Sequence, residues 1–154
     1  MLSILLIGVI VLIDQISKYF VLEHLRPIGS VPIIKDVFHW TYTENTGAAF
    51  SMLSGQKYFL IVLPILICIV LGYLLFAKKL EHKLGRCALV FLLGGAIGNL
   101  IDRVVHGFVV DFIDVRIINF AIFNVADIFV TVGAGLLIAY LLFFYEKAEE
   151  HHDE

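Results

Sequence analysis

Four stretches of about twenty residues, each nearly free of charge, constrain this chain more than any other feature. They cover residues 2–22, 58–77, 86–105 and 126–145. Crossing the hydrocarbon core of a bilayer takes about 20 apolar residues in a helix, so each stretch is long enough to span. Within 154 residues, room for one domain, these runs raise the apolar share to 60% and hold the charged share to 16%. Ordinary soluble domains are roughly 45–50% apolar and about 25% charged, and a soluble chain of this size could not bury the surplus. A disordered chain, a nucleic-acid binder and a cytosolic enzyme are thereby excluded. The fold class expected is an all-α membrane protein of four transmembrane helices.

The first stretch has no basic leader and no small-residue cleavage site, and its far end is charged, so it reads as a retained helix. Pro64 falls inside the second stretch, where a membrane helix tolerates it. Cys68 and Cys87 both lie in apolar runs and read as small hydrophobes rather than a disulfide. Between the second and third stretches, Lys78, Lys79, Lys83 and Arg86 oppose only Glu81. Basic density of that kind marks the cytoplasmic side, which puts both termini inside and loops 23–57 and 106–125 outside. Residues 37–43, Val-Phe-His-Trp-Thr-Tyr-Thr, are aromatic and β-branched and predict a strand. Asn45-Thr-Gly47 predicts a turn after it. A small β-element in the first outer loop is expected. Residues 146–154, five acids and one lysine, read as a solvated cytoplasmic tail, leaving 1–145 as the single domain.

Polar residues inside such a chain are expensive and point to function. Asp14 and Lys18 lie in the outer half of the first helix. Asn99, Asp102 and Arg103 lie at the outer end of the third, Asp111 and Asp114 in the loop beyond it, and Asn124 and Asp127 at the start of the fourth. Antiparallel packing brings all of them to one level. Each also has a plain structural role. Asp14 and Lys18 are spaced for an i,i+4 pair, and Asp102 and Arg103 for a helix-end ion pair. Gly94-Gly-Ala-Ile-Gly98 allows close helix packing. Asn124 and Asp127 fit an N-cap and an acid at the third helical position, and Asp114 can pair with Arg116. Caps and pairs alone do not call for so many acids from separate segments at one level.

The six histidines are dispersed and no HExxH occurs, which argues against a metal. No GxSxG occurs, and Ser17 and Lys18 are adjacent, so they diverge. Paired carboxylates remain. Two acids forced together share a proton, one taking a proton from water while the other donates to a carbonyl. The start of the fourth helix favours an ionised Asp127 as base, and apolar neighbours favour a protonated Asp111 as acid. Spacing alone also admits an Asp102–Asp127 pair. A membrane transporter is the alternative reading, with Asp14 as its proton-coupled acid, but that function wants charge near the bilayer midplane.

Five motifs, in this order, carry a resemblance: Asp14-Gln-Ile-Ser-Lys18, Asn45-Thr-Gly-Ala-Ala-Phe50, Gly94-Gly-Ala-Ile-Gly-Asn-Leu-Ile-Asp-Arg103, Val109-Val-Asp-Phe-Ile113 and Phe123-Asn-Val-Ala-Asp127. Together with the four spans and the chain length, they make the chain resemble the lipoprotein signal peptidases, or signal peptidase II, over nearly all of it up to the tail. The resemblance implies an intramembrane aspartic endopeptidase of the bacterial inner membrane, working near the outer face. Its substrate would be a prolipoprotein, cut before a cysteine that carries a diacylglyceryl group. The resemblance also implies Asp111 and Asp127 as the catalytic pair, Asn45, Asn99, Arg103 and Asn124 around the substrate backbone, and Asp14 and Asp102 holding the site together, with Lys18 beside them. The expectation is a monomer in contact with membrane lipid, without cofactor, metal or nucleic acid.

Overall fold

A computed structural model describes residues 1–47, 56–77, 79–80, 82–118 and 120–145. Residues 48–50 of the second motif, Lys78 and Glu81 of the basic loop and the 146–154 tail lie outside the described residues. Four helices carry the chain: α1 (Leu2–Phe20), α2 (Lys57–Phe76), α3 (Lys83–Val105) and α4 (Val125–Phe143). A π-helical turn, Val21–Leu25, extends α1, and the joint segment Leu2–Leu25 is, like the other three helices, long and apolar enough to cross a membrane. α3 begins three residues earlier than the apolar run predicts because the His82 ring nitrogen accepts the Leu84 N–H at 3.2 Å and caps it.

The outward faces of these helices are apolar and bare. Leu5 and Leu12 of α1, Ile69 and Val70 of α2 and Leu142 of α4 are all exposed. In water this surface would aggregate; in a bilayer it meets lipid tails. α3 is the hub, packed against each of the other three helices. The buried residues of α1 are Ile10, Asp14 and Lys18, one i,i+4,i+8 stripe turned inward. Ile10 joins Leu75 of α2 and Leu89, Val90 and Leu93 of α3 in the apolar core. Asp14 and Lys18 continue the same stripe into the polar end of the bundle. Two glycines let the helices close there. A Cβ on Gly95 would stand 2.5 Å from the Ala126 carbonyl oxygen, and one on Gly98 would stand 2.5 Å from an Asp14 carboxylate oxygen.

Above that end lies an antiparallel sheet in the order β1 (Ser30–Ile34), β2 (Phe38–Asn45), β3 (Val109–Val115). The segment between α1 and α2 thus supplies two strands, including the expected one over 37–43, and the segment between α3 and α4 adds a third. β3 pairs with β2 from Phe38↔Val115 to Asn45↔Val109, with a bulge between Trp40 and Thr43. Val110 and Phe112 are buried against Val21 and Leu25 of the π-helical turn, which locks the sheet onto the end of α1. Trp40 stacks on Phe112, ring centroids 5.3 Å apart and 7° from parallel. Asp111 therefore sits on a strand, not on an open loop.

Candidate active site

The polar residues of α1, α3, β3 and α4 meet at one end of the bundle, beside the sheet. The start of α4 explains why two of them lie so close. Asn124 is the N-cap, and its side-chain oxygen accepts the Asp127 N–H at 3.0 Å. In return the Asp127 carboxylate accepts the Asn124 N–H at 3.1 Å. This reciprocal capping box is the plain structural role expected of the pair, and it leaves functional groups over. The Asn124 amide Nδ2 donates to Asp111 Oδ1 at 2.7 Å and to Asn99 Oδ1 at 3.1 Å. The Asn99 Nδ2 donates to the second Asp127 oxygen, Oδ1, at 2.7 Å. Asp111 and Asp127 are thus joined through two amides, each amide with one acid as its acceptor. The other Asp111 oxygen accepts from the Asn45 Nδ2 at 3.0 Å. The Asn45 side-chain oxygen accepts the Gly47 N–H at 3.0 Å, which forms the turn expected at residues 45–47.

Asp102 does not pair with Arg103. Neighbours on a helix diverge by about 100°, and Asp102 turns instead toward α1. It accepts from the Lys18 ammonium at 3.0 Å, from the Gln15 Nε2 at 3.0 Å and from the Val110 N–H at 3.0 Å. Those bonds occupy both of its carboxylate oxygens. Arg103 points the other way, donating to the Gly47 carbonyl at 3.1 Å. Its Nε is buried and has no hydrogen-bond partner among the described residues.

Asp14 also reaches across helices. It accepts from Lys18 at 2.9 Å, as the i,i+4 spacing predicts, and from the Ala126 N–H of α4 at 2.9 Å. Gln15 carries no role in the sequence reading, yet it bridges Asp14, Asp102 and the Gly98 carbonyl. Its only signal is its place inside the Asp14–Lys18 motif. Asp114 pairs with Arg116 at 2.8 Å, as expected, and accepts from Thr41 at 2.7 Å. Burial raises its affinity for a proton, but the bonds from Arg116 and Thr41 prevail and hold it below the usual carboxylate range. It stays a charged prop of the sheet.

Asp111 behaves in the opposite way. Burial and the nearby Asp127 charge push its carboxyl up to about 7, against the bonds from Asn45 and Asn124 and the charge of Lys18. A carboxyl in that state keeps its proton near neutrality and can donate it. Both acids line a cavity of about 470 Å³ with Asn45, Asn99 and Arg103. Its remaining wall is largely apolar and includes Phe120, Ile122, Ile128 and Val132. The cavity is thus half suited to a peptide backbone and half to an apolar chain.

Fold and site together define a polytopic membrane protein whose acids gather at one end of the bundle, where Asp111 and Asp127 line one cavity. Residues 6–143 match the family model described as signal peptidase (SPase) II. The lipoprotein signal peptidase of Clostridioides difficile (strain 630) is 45% identical over 148 residues, covering 96% of this chain and 99% of that protein. That of Caldanaerobacter subterraneus subsp. tengcongensis is 49% identical over 142 residues, covering 92% and 96%. A solved bacterial membrane enzyme is 39% identical with a TM-score of 0.83, covering 91% of this chain and 87% of that one. The chain belongs to the signal peptidase II family, a family of peptidases of bacterial membranes.

Proposed function

We propose that the protein is an aspartic endopeptidase working within the membrane, removing signal peptides from prolipoproteins just before the diacylglyceryl-modified cysteine. The observation that carries this reading is the joining of Asp111 and Asp127, from separate segments, through the Asn99 and Asn124 amides at one cavity. In the first step Asp127, held at the start of α4 where the helix dipole favours a negative charge, takes a proton from water. The water oxygen bonds to the scissile carbonyl carbon while Asp111 gives its proton to the carbonyl oxygen. Collapse of that intermediate breaks the C–N bond: a hydroxyl proton of the diol returns to Asp111, and the proton held on Asp127 leaves on the amine. No metal and no cofactor takes part.

Arg103 has a buried donor, Nε, without an acceptor among the described residues, on a side chain that lines the cavity with the two acids, which suits a substrate carbonyl. Asn45, Asn99 and Asn124 supply the other amides around the substrate backbone. The apolar wall suits the lipid-linked end of the substrate, which stays in the bilayer. We place the site near the outer face with both termini cytoplasmic, following the basic residues between α2 and α3. The acids of α3, β3 and α4 gather at one end of the bundle around one cavity, which the transporter reading does not call for.

Purified protein incubated with lipidated and unlipidated forms of one precursor tests the reading. Cleavage of the lipidated form alone is expected; equal cleavage of both, or of neither, overturns it. The pH profile follows from Asp111. Because its proton is held up to about pH 7, cleavage declines as pH rises through that value. Measured kcat against pH checks this, and a rate that climbs steadily from pH 6 to pH 9 contradicts it.

A further inference from the structure

Lys18 is a lysine 2% exposed inside a membrane bundle, and burying an ammonium is costly unless every proton finds an acceptor. Here all three do: Asp14 at 2.9 Å, Asp102 at 3.0 Å and Asn99 Oδ1 at 2.9 Å. An i,i+4 pair needs only the first of these. The other two come from α3, and each acceptor leads toward one of the two acids. Asp14 holds the Ala126 N–H, next to Asp127. Asp102 holds the Val110 N–H, next to Asp111. Asn99 has its oxygen committed to Lys18 and Asn124, which leaves its Nδ2 to face Asp127.

We infer that Lys18 is a positioning residue for the two-acid site, setting the amide orientation of Asn99 and the placement of Asp111 and Asp127 through its three acceptors. The inference rests on the two-acid reading of the cavity. An ammonium carries three donors in a tetrahedral fan, whereas the guanidinium of arginine is a flat fork, so lysine suits three acceptors on two helices. The charged groups around Lys18 are Asp14 on its own helix and Asp102 on α3. Asp111 on β3 and Asp127 on α4 lie within its electrostatic reach. Arg103 is the second cation acting on Asp102, Asp111 and Asp127.

The test replaces Lys18 in the full chain and reads geometry and kinetics separately. In a crystal structure of Lys18→Met, the Asn99 Nδ2 is expected beyond hydrogen-bond reach of Asp127. If it still donates there, the inference fails whatever the activity. On a diacylglyceryl-modified precursor, kcat is expected to fall about 100-fold, the scale of an ångström-sized misplacement. KM should change much less than kcat, since Lys18 reaches the substrate only through Asn99. The alkaline limb should move to higher pH, because Asp111 loses a neighbouring positive charge. An unchanged kcat and pH profile overturns the inference. Should Lys18→Met not fold, Lys18→Met with Asp102→Asn keeps the net charge of the cluster. Wild-type kcat in that double variant overturns the inference, and the same loss supports it. A wild-type protein that cuts no precursor sinks the two-acid reading, while the variant's structure still decides what Lys18 holds.

Discussion

Asp111→Asn and Asp127→Asn are each expected to lower precursor cleavage by at least about 1,000-fold, a loss of about 4 kcal/mol of transition-state stabilisation. Asparagine keeps the size and planarity of the carboxyl but can neither take a proton from water nor give one to a carbonyl. Both variants are expected to insert and fold, because Asp127→Asn keeps an oxygen to accept the Asn124 N–H and Asp111 lies outside that cap, on β3. The double variant should lose little more than either single one, since two groups passing one proton act as a unit. Precursor processing on a gel, with folding followed by thermal scans, checks all three. Substantial cleavage by either single variant would mean the chemistry lies elsewhere.

The second large effect concerns a residue with no functional group. Gly95→Ala is expected to destabilise the bundle by about 1–3 kcal/mol, the usual range for overpacking. The added methyl would meet the Ala126 carbonyl oxygen at 2.5 Å and Val130 Cγ2 at 2.8 Å, and a backbone cannot swing aside as a side chain can. The start of α4 must therefore move away from α3. That movement stretches the 2.7 Å bond from Asn99 to Asp127 and the 2.9 Å bond from Ala126 to Asp14. Activity should fall about 100-fold in the protein that still folds. Gly135→Ala is the control, because its Cβ would meet nothing within 4 Å. It should be neutral or slightly stabilising, as alanine is the better helix former. Equal effects at the two glycines in thermal unfolding would contradict the packing argument.

Much of this was legible in the residues themselves because bilayer physics leaves few choices. Runs as clean as 58–77 have no fold in water, and helices that must return across a membrane bring Asp14, Asn99, Asp102 and Asp127 to a common level. The i,i+4 spacing of Asp14 and Lys18 and the cap at Asn124 are local, and local geometry follows from spacing. The third strand was harder. Val109-Val-Asp-Phe-Ile113 has strand composition, but its pairing with β2 is a contact between two loops far apart in the chain, and no local signal announces it. The partner of Asp102 was hidden for the same reason. Its neighbour Arg103 is an obvious candidate on paper, yet the turn of the helix sends the two apart, and Lys18 and Gln15 arrive from α1. Asp111 over Asp102 as the partner of Asp127 came from family resemblance. What the hydrogen bonds add is that Asp102 faces Lys18, Gln15 and the Val110 N–H, while Asp111 shares the Asn124 amide with Asn99.

The central claim is that two carboxyls at the end of this bundle share one proton near neutral pH. Carbon NMR of carboxyl-labelled aspartate in the purified protein, recorded across the neutral range, measures it most directly. The account predicts one aspartate that titrates near pH 7, well above ordinary carboxylates, and whose signal disappears in Asp111→Asn. A spectrum in which every aspartate is already ionised at pH 5 would contradict it.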